Sequence, residues 1–440
     1  MREEFHRIAD ALTGRLRGGE VLLCNFAGEE SDFVRFTRSA VRQAGSVRQG
    51  EVGLELISRG RRARTALQLS GDGEADERAG ARLLDGLREI LPALPEDPHL
   101  LYATDVQSGE TAGERRLPES AEAVEAILAA GEGKDLAGIF AAGGIYAGFA
   151  NSLGQRNWFA SHTFHFDWSF HHKADKAVKA QYAGFEWDGN EFARRAGEAE
   201  AQLEILARPP RTLAPGGCRV YLAPAAVDAV LAMVAWRGFG LRARRTKVTS
   251  LLKMAEEGRR LHPSVGLSEN TGEGMAPDFQ EAGFRRPPRV PLIEGGALGE
   301  ALVSPPSARE FGVETNGANE GEAPESLDME GGELAEGEIL ERLGRGVYVG
   351  DLWYLNYSDV PACRMTGLTR FATFWVEGGE IQAPLNVMRF DETLYRILGE
   401  NLVGLTAERE FIPSSSTYGA RSARSARVPG ALVEDFTFTL

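Results

Sequence analysis

The chain has 440 residues, of which 43% are hydrophobic, enough for folded domains with cores of their own. A formal charge of −15 opposes sequence-independent attraction to nucleic-acid phosphates or to anionic lipid. The three cysteines, Cys24, Cys218 and Cys363, are odd in number and widely spaced, which excludes a disulfide framework or a metal knuckle and fits a reducing cytoplasm.

The opening MREEFHRIADALTG predicts an amphipathic helix with Phe5, Ile8, Leu12 and Leu16 on one face, and it does not read as a signal peptide. The polar stretch NFAGEESDFVRFTRSAVRQAGS reads as a lead into a hairpin, in which VGLELIS and ARTALQLS flank Arg59-Gly60-Arg61. A helix follows with Leu83, Leu84, Leu87, Ile90 and Leu91 at helical spacing, ahead of Pro95. PESAEAVEAILAAG gives another, stopped by Gly131. Residues 1–131 therefore read as an N-terminal α+β domain. Next comes GIFAAGGIYAGFANSLG. Its glycines fit close strand packing, because no strand–turn–helix nucleotide fingerprint surrounds them. No apolar run approaches the 18 or so residues of a membrane span.

SHTFHFDWSFHH, residues 161–172, holds four of the chain's seven histidines. Phe164, Phe166, Trp168 and Phe170 fall on one parity, and His165, Asp167 and His171 on the other, which is the period of a strand. At about 3.3 Å per residue His162 and His172 are roughly 33 Å apart, and His165 and His171 roughly 20 Å, too far to share an ion. His165 and Asp167 alone are short of the donors zinc requires. The expectation is an aromatic core face and a solvated polar face.

VKAQYAGFEWDG alternates again and pairs back through the short link HKADK. A helix with Phe192, Ala196, Leu203 and Leu206 ends before Pro209-Pro210, closing a central hairpin and helix region over 132–215. Residues 216–440 read as a β-rich domain. It has the strand CRVYLAP, a helix PAAVDAVLAMVAWRG opened by Pro224, the strands RVPLIEGG and GVYVGDLWYLNYS, a hairpin FATFWVEGGEIQ turning at Gly378-Gly379, and a closing strand ALVEDFTFTL. NGANEGEAPESLDMEGGELAEGE reads as an exposed acidic loop. The fold class expected is α+β with mostly antiparallel sheets.

HExxH, the P-loop and GxSxG are absent from the sequence. Glu256, Glu257 and His262 stand in inverted order relative to HExxH, and Gly258 and Pro263 interrupt the helix, so they read as a solvated helix end. Cys363 has no histidine near it in sequence and reads as an inert buried thiol.

Four stretches in chain order nevertheless resemble one family. They are NSLGQRNWFASHTFHFDWS, SENTGEGMAPDFQEAGFRRPPRVPLIEGGAL, GVYVGDLWYLNYSDVPACRMTGLTRFATFWVEGGEIQAPLNVMRF and PGALVEDFTF. The family is TldD/TldE, also called PmbA or modulator of DNA gyrase. The resemblance implies an α+β fold and a role in proteolysis. TldD-type members bind zinc through HExxxH on a helix, and they pair with TldE-type partners that lack the ligands to degrade unfolded peptides. The corresponding helix here, PAAVDAVLAMVAWRGFG, has no histidine or glutamate, so no metal ligand or catalytic residue carries over.

The chain is accordingly expected to be a cytoplasmic TldE/PmbA-like peptidase subunit without a cofactor of its own. Zinc is expected in a TldD-type partner, with a homodimer when the chain is alone. The expected ligand is an unfolded peptide bound by β-augmentation, with neither membrane nor nucleic acid involved. Candidate groove residues in the family-like segments are Asn151, Ser152, Gly154, His165, Asp278, Thr366 and Gly367; a turn or cap is the alternative for each, and for Gly154, Asp278 and Gly367 it is the better account. The rival reading is an independent hydrolase built from His165, Asp167 and Glu256 or His262. A third, a DNA-associated regulator, is opposed by the charge.

Overall fold

The computed structural model describes residues 1–173 and 176–439. The N-terminal half runs α1 (Arg2–Thr13), β1 (Val21–Thr37), β2 (Ala40–Ser58), β3 (Arg61–Gln68), α2 (Gly73–Ile90), β4 (Gly109–Ala112), α3 (Ser120–Gly131), β5 (Asp135–Asn151), β6 (Arg156–Lys173), β7 (Lys176–Gly184) and α4 (Gly189–Leu206). Among the described residues its strands form one seven-stranded sheet in the order β3-β2-β1-β5-β6-β4, with β7 also on β6. The sheet is continuous across residue 131, because β1 pairs antiparallel with β5 from Leu23↔Asn151 to Phe36↔Gly138.

Hydrophobic spacing explains what each helix covers. α1 buries Phe5, Ile8, Ala9 and Leu12 against β1–β3, and Asp72 caps α2 by accepting from the Glu74 and Ala75 N–H groups at 3.1 Å. The glycine-rich β5 is smooth because its neighbours are large. A Cβ on Gly148 would come within 2.7 Å of the Phe5 ring, and one on Gly138 within 2.8 Å of Trp168 Cβ. The aromatic face of β6 has Phe164, Phe166, Trp168 and Phe170 fully buried under α3 and α4.

The C-terminal half begins with β8 (Gly216–Leu222), α5 (Pro224–Arg237), α6 (Leu241–Arg245), α7 (Leu252–Glu257), β9 (Leu267–Glu269), β10 (Val290–Glu294), β11 (Ala297–Leu298), α8 (Pro305–Phe311) and β12 (Ser326–Met329). It continues with α9 (Ile339–Leu343), β13 (Arg345–Val349), β14 (Leu352–Asp359), β15 (Arg364–Thr369), β16 (Thr373–Glu377), β17 (Glu380–Pro384), β18 (Met388–Thr393), β19 (Leu402–Pro413) and β20 (Ser425–Phe438). Among the described residues these strands form a second sheet with the path β11-β10-β9-β12-β20-β8-β13-β16-β17, while β19 pairs with β20 and β14 with β15. Strand at 42% against helix at 25%, with mostly antiparallel pairing, makes the class α+β.

The sequence expectations need four corrections. The polar lead NFAGEESDFVRFTRSAVRQAGS belongs to the long hairpin β1–β2, whose turn residues Arg38 and Ser39 take φ of 53° and 54°. A turn of that kind normally signals itself with Asn or Gly, and here it does not. GVYVGDLWYLNYS is two strands: β13 lies between β8 and β16, and β14 pairs with β15. The acidic stretch over 316–338 is not simply an exposed loop, because it contains β12, buried along its length between β9 and β20. Finally, the polar face of β6 is covered from Ser161 to His165, where His165 is 4% exposed and Thr163 fully buried, and reaches solvent only toward His171. The paired strands β6 and β7 meet as expected. The link residues Ala174 and Asp175 lie outside the described residues.

Candidate functional site

A cavity of about 380 Å³ separates the two sheets. One wall is β7 with α4; the other is formed by the ends of β8 and β13, the start of α5 and the outer face of β19. Lys179 alternates with Val178 and Ala180 on β7, whereas Asp351 is presented by the break between β13 and β14. Lys179 Nζ is 3.3 Å from Asp351 Oδ2. Arg195 on α4 joins the walls, donating through Nη1 to Glu410 Oε1 on β19 at 2.6 Å and through Nε to Glu191 Oε1 at 2.7 Å. Arg194 binds the same Glu191 oxygen at 2.7 Å and Glu198 at 2.5 Å.

The field inside is negative. Asp228, half-buried on α5, is pushed up to about 6 by burial, then by the charges of Asp351 and Glu410, with Lys179 pulling it back. Burial also raises Asp351 and Asp167, in each case against the pull of Lys179. Burial alone would lower Lys179, but Asp351 and Asp167 leave it raised and charged. By contrast, hydrogen bonding from Arg194 and then Arg195 outweighs burial and brings Glu191 down to about 2. Glu336, on the rim, is raised by burial and by Glu198, Glu408 and Glu410. Chemically this is an acid-rich slot with one ammonium, able to hold cationic and hydrogen-bonding groups.

The seven groove candidates lie elsewhere and are not brought into one place. Asn151, Ser152 and Gly154 share the β5–β6 turn. There Asn151 Oδ1 accepts from Leu153 and Gln155 N–H at 3.0 Å, Ser152 Oγ accepts from Leu22 N–H at 3.1 Å, and Gly154 has φ 104°. His165 is held neutral, pushed down to about 4 by burial and then by Arg421. Asp278 pairs with Arg285. Thr366 Oγ1 on β15 donates to Phe390 O at 2.8 Å, and a Cβ on its neighbour Gly367 would meet the Phe390 ring at 2.8 Å.

Among the described residues no three His, Cys, Asp or Glu side chains are grouped to hold a metal ion. Along α5 the only such donor is Asp228, so these residues do not fit a zinc ion held by two imidazoles of one helix. Nor does the rival hydrolase site assemble. Glu256 is paired with Lys247 and His262 with Ser264 at 2.8 Å, on or next to α7, whereas His165 is on β6. Sequence reasoning missed Lys179, Arg195, Asp228, Asp351 and Glu410. The signal within reach was Asp228, a lone carboxylate in an otherwise apolar helix up to Arg237.

The fold and the cavity define an α+β protein of two sheets with a polar slot between them. Residues 215–440 match the model of the PmbA/TldA metallopeptidase C-terminal domain, and the chain belongs to that family. Three solved structures share the whole fold. One from Thermotoga maritima, named for modulation of a DNA gyrase, is 14% identical with TM-score 0.75, covering 100% of both chains. TldE from Thermococcus kodakarensis is 12% identical with TM-score 0.76, covering 100% of this chain and 99% of its own. A protein from Bacteroides thetaiotaomicron, likewise named for modulation of DNA gyrase, is 16% identical with TM-score 0.73, covering 99% and 98%. None of the curated proteins matches the chain in sequence. Among the described residues no helix is long and apolar enough to cross a membrane.

Proposed function

We propose that the chain is a TldE-type subunit of a cytoplasmic metallopeptidase assembly, supplying surface for an unfolded peptide while a TldD-type partner supplies zinc. The observation that carries this reading is α5: the helix that should hold HExxxH presents Asp228 and otherwise apolar residues up to Arg237. Peptide binding by strand addition is supported by the cavity wall, since among the described residues β7 pairs as a strand with β6 only, and its segment 178–181 borders the slot. Alone, the chain forms a homodimer.

Co-expression with a TldD-type protein from the same cell, followed by affinity capture and metal analysis, tests this. The expected result is a heterodimer whose zinc follows the partner. A chain that captures no such partner, or that cleaves unfolded peptide alone in a chelator-sensitive way, overturns it.

A further inference from the structure

One buried side chain anchors the segment that joins β19 to β20. From Ser414 to Arg424 the chain has no helix or strand, and Arg421 alone in it is buried, whereas Tyr418 is 99% exposed. The Arg421 guanidinium lies on the polar face of the N-terminal sheet. Nη1 donates to Ser31 Oγ at 3.2 Å and to Gly143 O at 3.4 Å; Nη2 donates to Thr163 O at 3.1 Å and Thr163 Oγ1 at 2.7 Å. Those acceptors come from β1, β5 and β6, which are neighbours, so the sheet builds the pocket and the segment only fills it.

The fit is incomplete in two respects. All four acceptors are neutral, and the nearby carboxylate, Glu29, accepts instead from the Arg421 main-chain N–H at 3.1 Å and from Gln49 Nε2 at 3.0 Å. A guanidinium buried without a carboxylate on it gives up hydration that neutral hydrogen bonds only partly return, and burial holds Arg421 down at about 10. In addition, among the described residues Glu29 Oε1 and His165 Nε2 have no hydrogen-bond partner, although those residues are 2% and 4% exposed. Beside them a groove of about 260 Å³ opens, lined among others by Glu29, Phe33, Gln49, Ile139 and Thr417.

We propose that Ser31, Gly143 and Thr163 form a guanidinium-binding site, that Arg421 is its resident occupant, and that the arginine of an extended peptide competes with it. The site stands on the geometry alone; the peptide as competitor rests on the reading of the chain as a peptidase subunit. A planar fork with several N–H groups matches acceptors spread over three strands, and an ammonium does not. A peptide running on into the groove would also bring a donor to Glu29 Oε1. Besides the Arg421 side chain, the segment is held mainly by single hydrogen bonds, Gln49 Nε2 to Gly419 O at 2.8 Å and the Arg421 N–H to Glu29, so it opens at lower cost than the paired strands on either side of it.

The test uses the full-length chain. Arg421→Ala should melt below wild type, and millimolar N-acetylarginine amide should raise its melting temperature by about 2 °C or more, with N-acetylcitrulline amide inert and wild type unmoved. If Arg421→Ala does not fold, Arg421→Lys keeps the charge, loses the fork and carries the same comparison. Equal effects of the two amides on the variant would overturn the site. In a second arm, a labelled SSSTYGARSAR peptide, the chain's own segment, should bind Arg421→Ala at least about tenfold more tightly than wild type. Equal binding to both chains would remove the competition while leaving the amide result to decide the site.

Discussion

Asp228→Asn should stabilise the protein at neutral pH and leave it unchanged in acid. The substitution keeps size and shape and removes only the charge. The Asp228 shift comes from burial and through-space charge, with no hydrogen bond contributing, so Asn leaves no partner stranded. A carboxyl raised from 3.8 to about 6 binds its proton more tightly in the folded state than in the unfolded one. Stability is therefore lost as pH rises through that window, and the full cost applies above it. Two pH units at 1.36 kcal/mol each give roughly 3 kcal/mol, which solvent at this half-buried position reduces to about 1–3 kcal/mol. With about 2.1 cal/mol/K of unfolding entropy per residue, that is a rise of roughly 1–3 °C in melting temperature. Scanning calorimetry of both proteins at pH 4 and pH 7.5 measures it. An equal shift at both pH values, or a loss of stability at pH 7.5, would refute the argument.

Other expectations are simpler to check. Phe166→Ala should cost about 3–5 kcal/mol in denaturant unfolding, while His171→Ala, at an exposed position on the same strand, should be nearly silent. The native protein should react with a thiol reagent at Cys218 only. Cys24 and Cys363 are buried and pushed up to about 12, and all three react once the chain is unfolded. Purified alone, the chain should carry well under one zinc by elemental analysis; stoichiometric zinc lost on mutating His165 or His262 would contradict this.

Elements with strict periodicity were legible in the sequence. The aromatic parity of β6, the leucine spacing of α2 and the Gly378-Gly379 turn, with φ of 66° and 78°, each follow from local chemistry. The β1–β2 hairpin was not legible, because its distal end is held by main-chain pairing while residues 40–48 of β2 are exposed and mix polar with small apolar residues. Burial of β12 was hidden for a different reason: its partners β9 and β20 are remote in the chain, and only their arrival makes an acidic stretch an interior one. The cavity is harder still. Its lining residues Lys179, Asp351 and Glu410 come from three separated segments and none is unusual where it stands, while Asp228, which is unusual on its apolar helix, does not say in sequence what it faces.

The same charges bear on why the slot stays open. An unpaired strand invites another strand, and β7 and β19 face each other across the cavity, although residues 332–334 already hydrogen-bond to β19 over 405–407. If they paired, the two sheets would fuse and the space would vanish. Fusion would have to strip water from Lys179, Glu410 and the raised carboxylates Asp167, Asp228 and Asp351, each already hard to keep ionised. Arg195 meanwhile spends its guanidinium on both walls, donating to Gln181 O on β7 at 3.2 Å as well as to Glu410, and so fixes their separation. An incoming peptide meets a different balance. On the proposed reading, a peptide strand added along β7 would share Gln181 O with Arg195, and a basic residue on it would relieve the excess of carboxylates that closure would aggravate. On that reading, the polarity that keeps the chain from pairing with itself is the polarity a foreign strand would use.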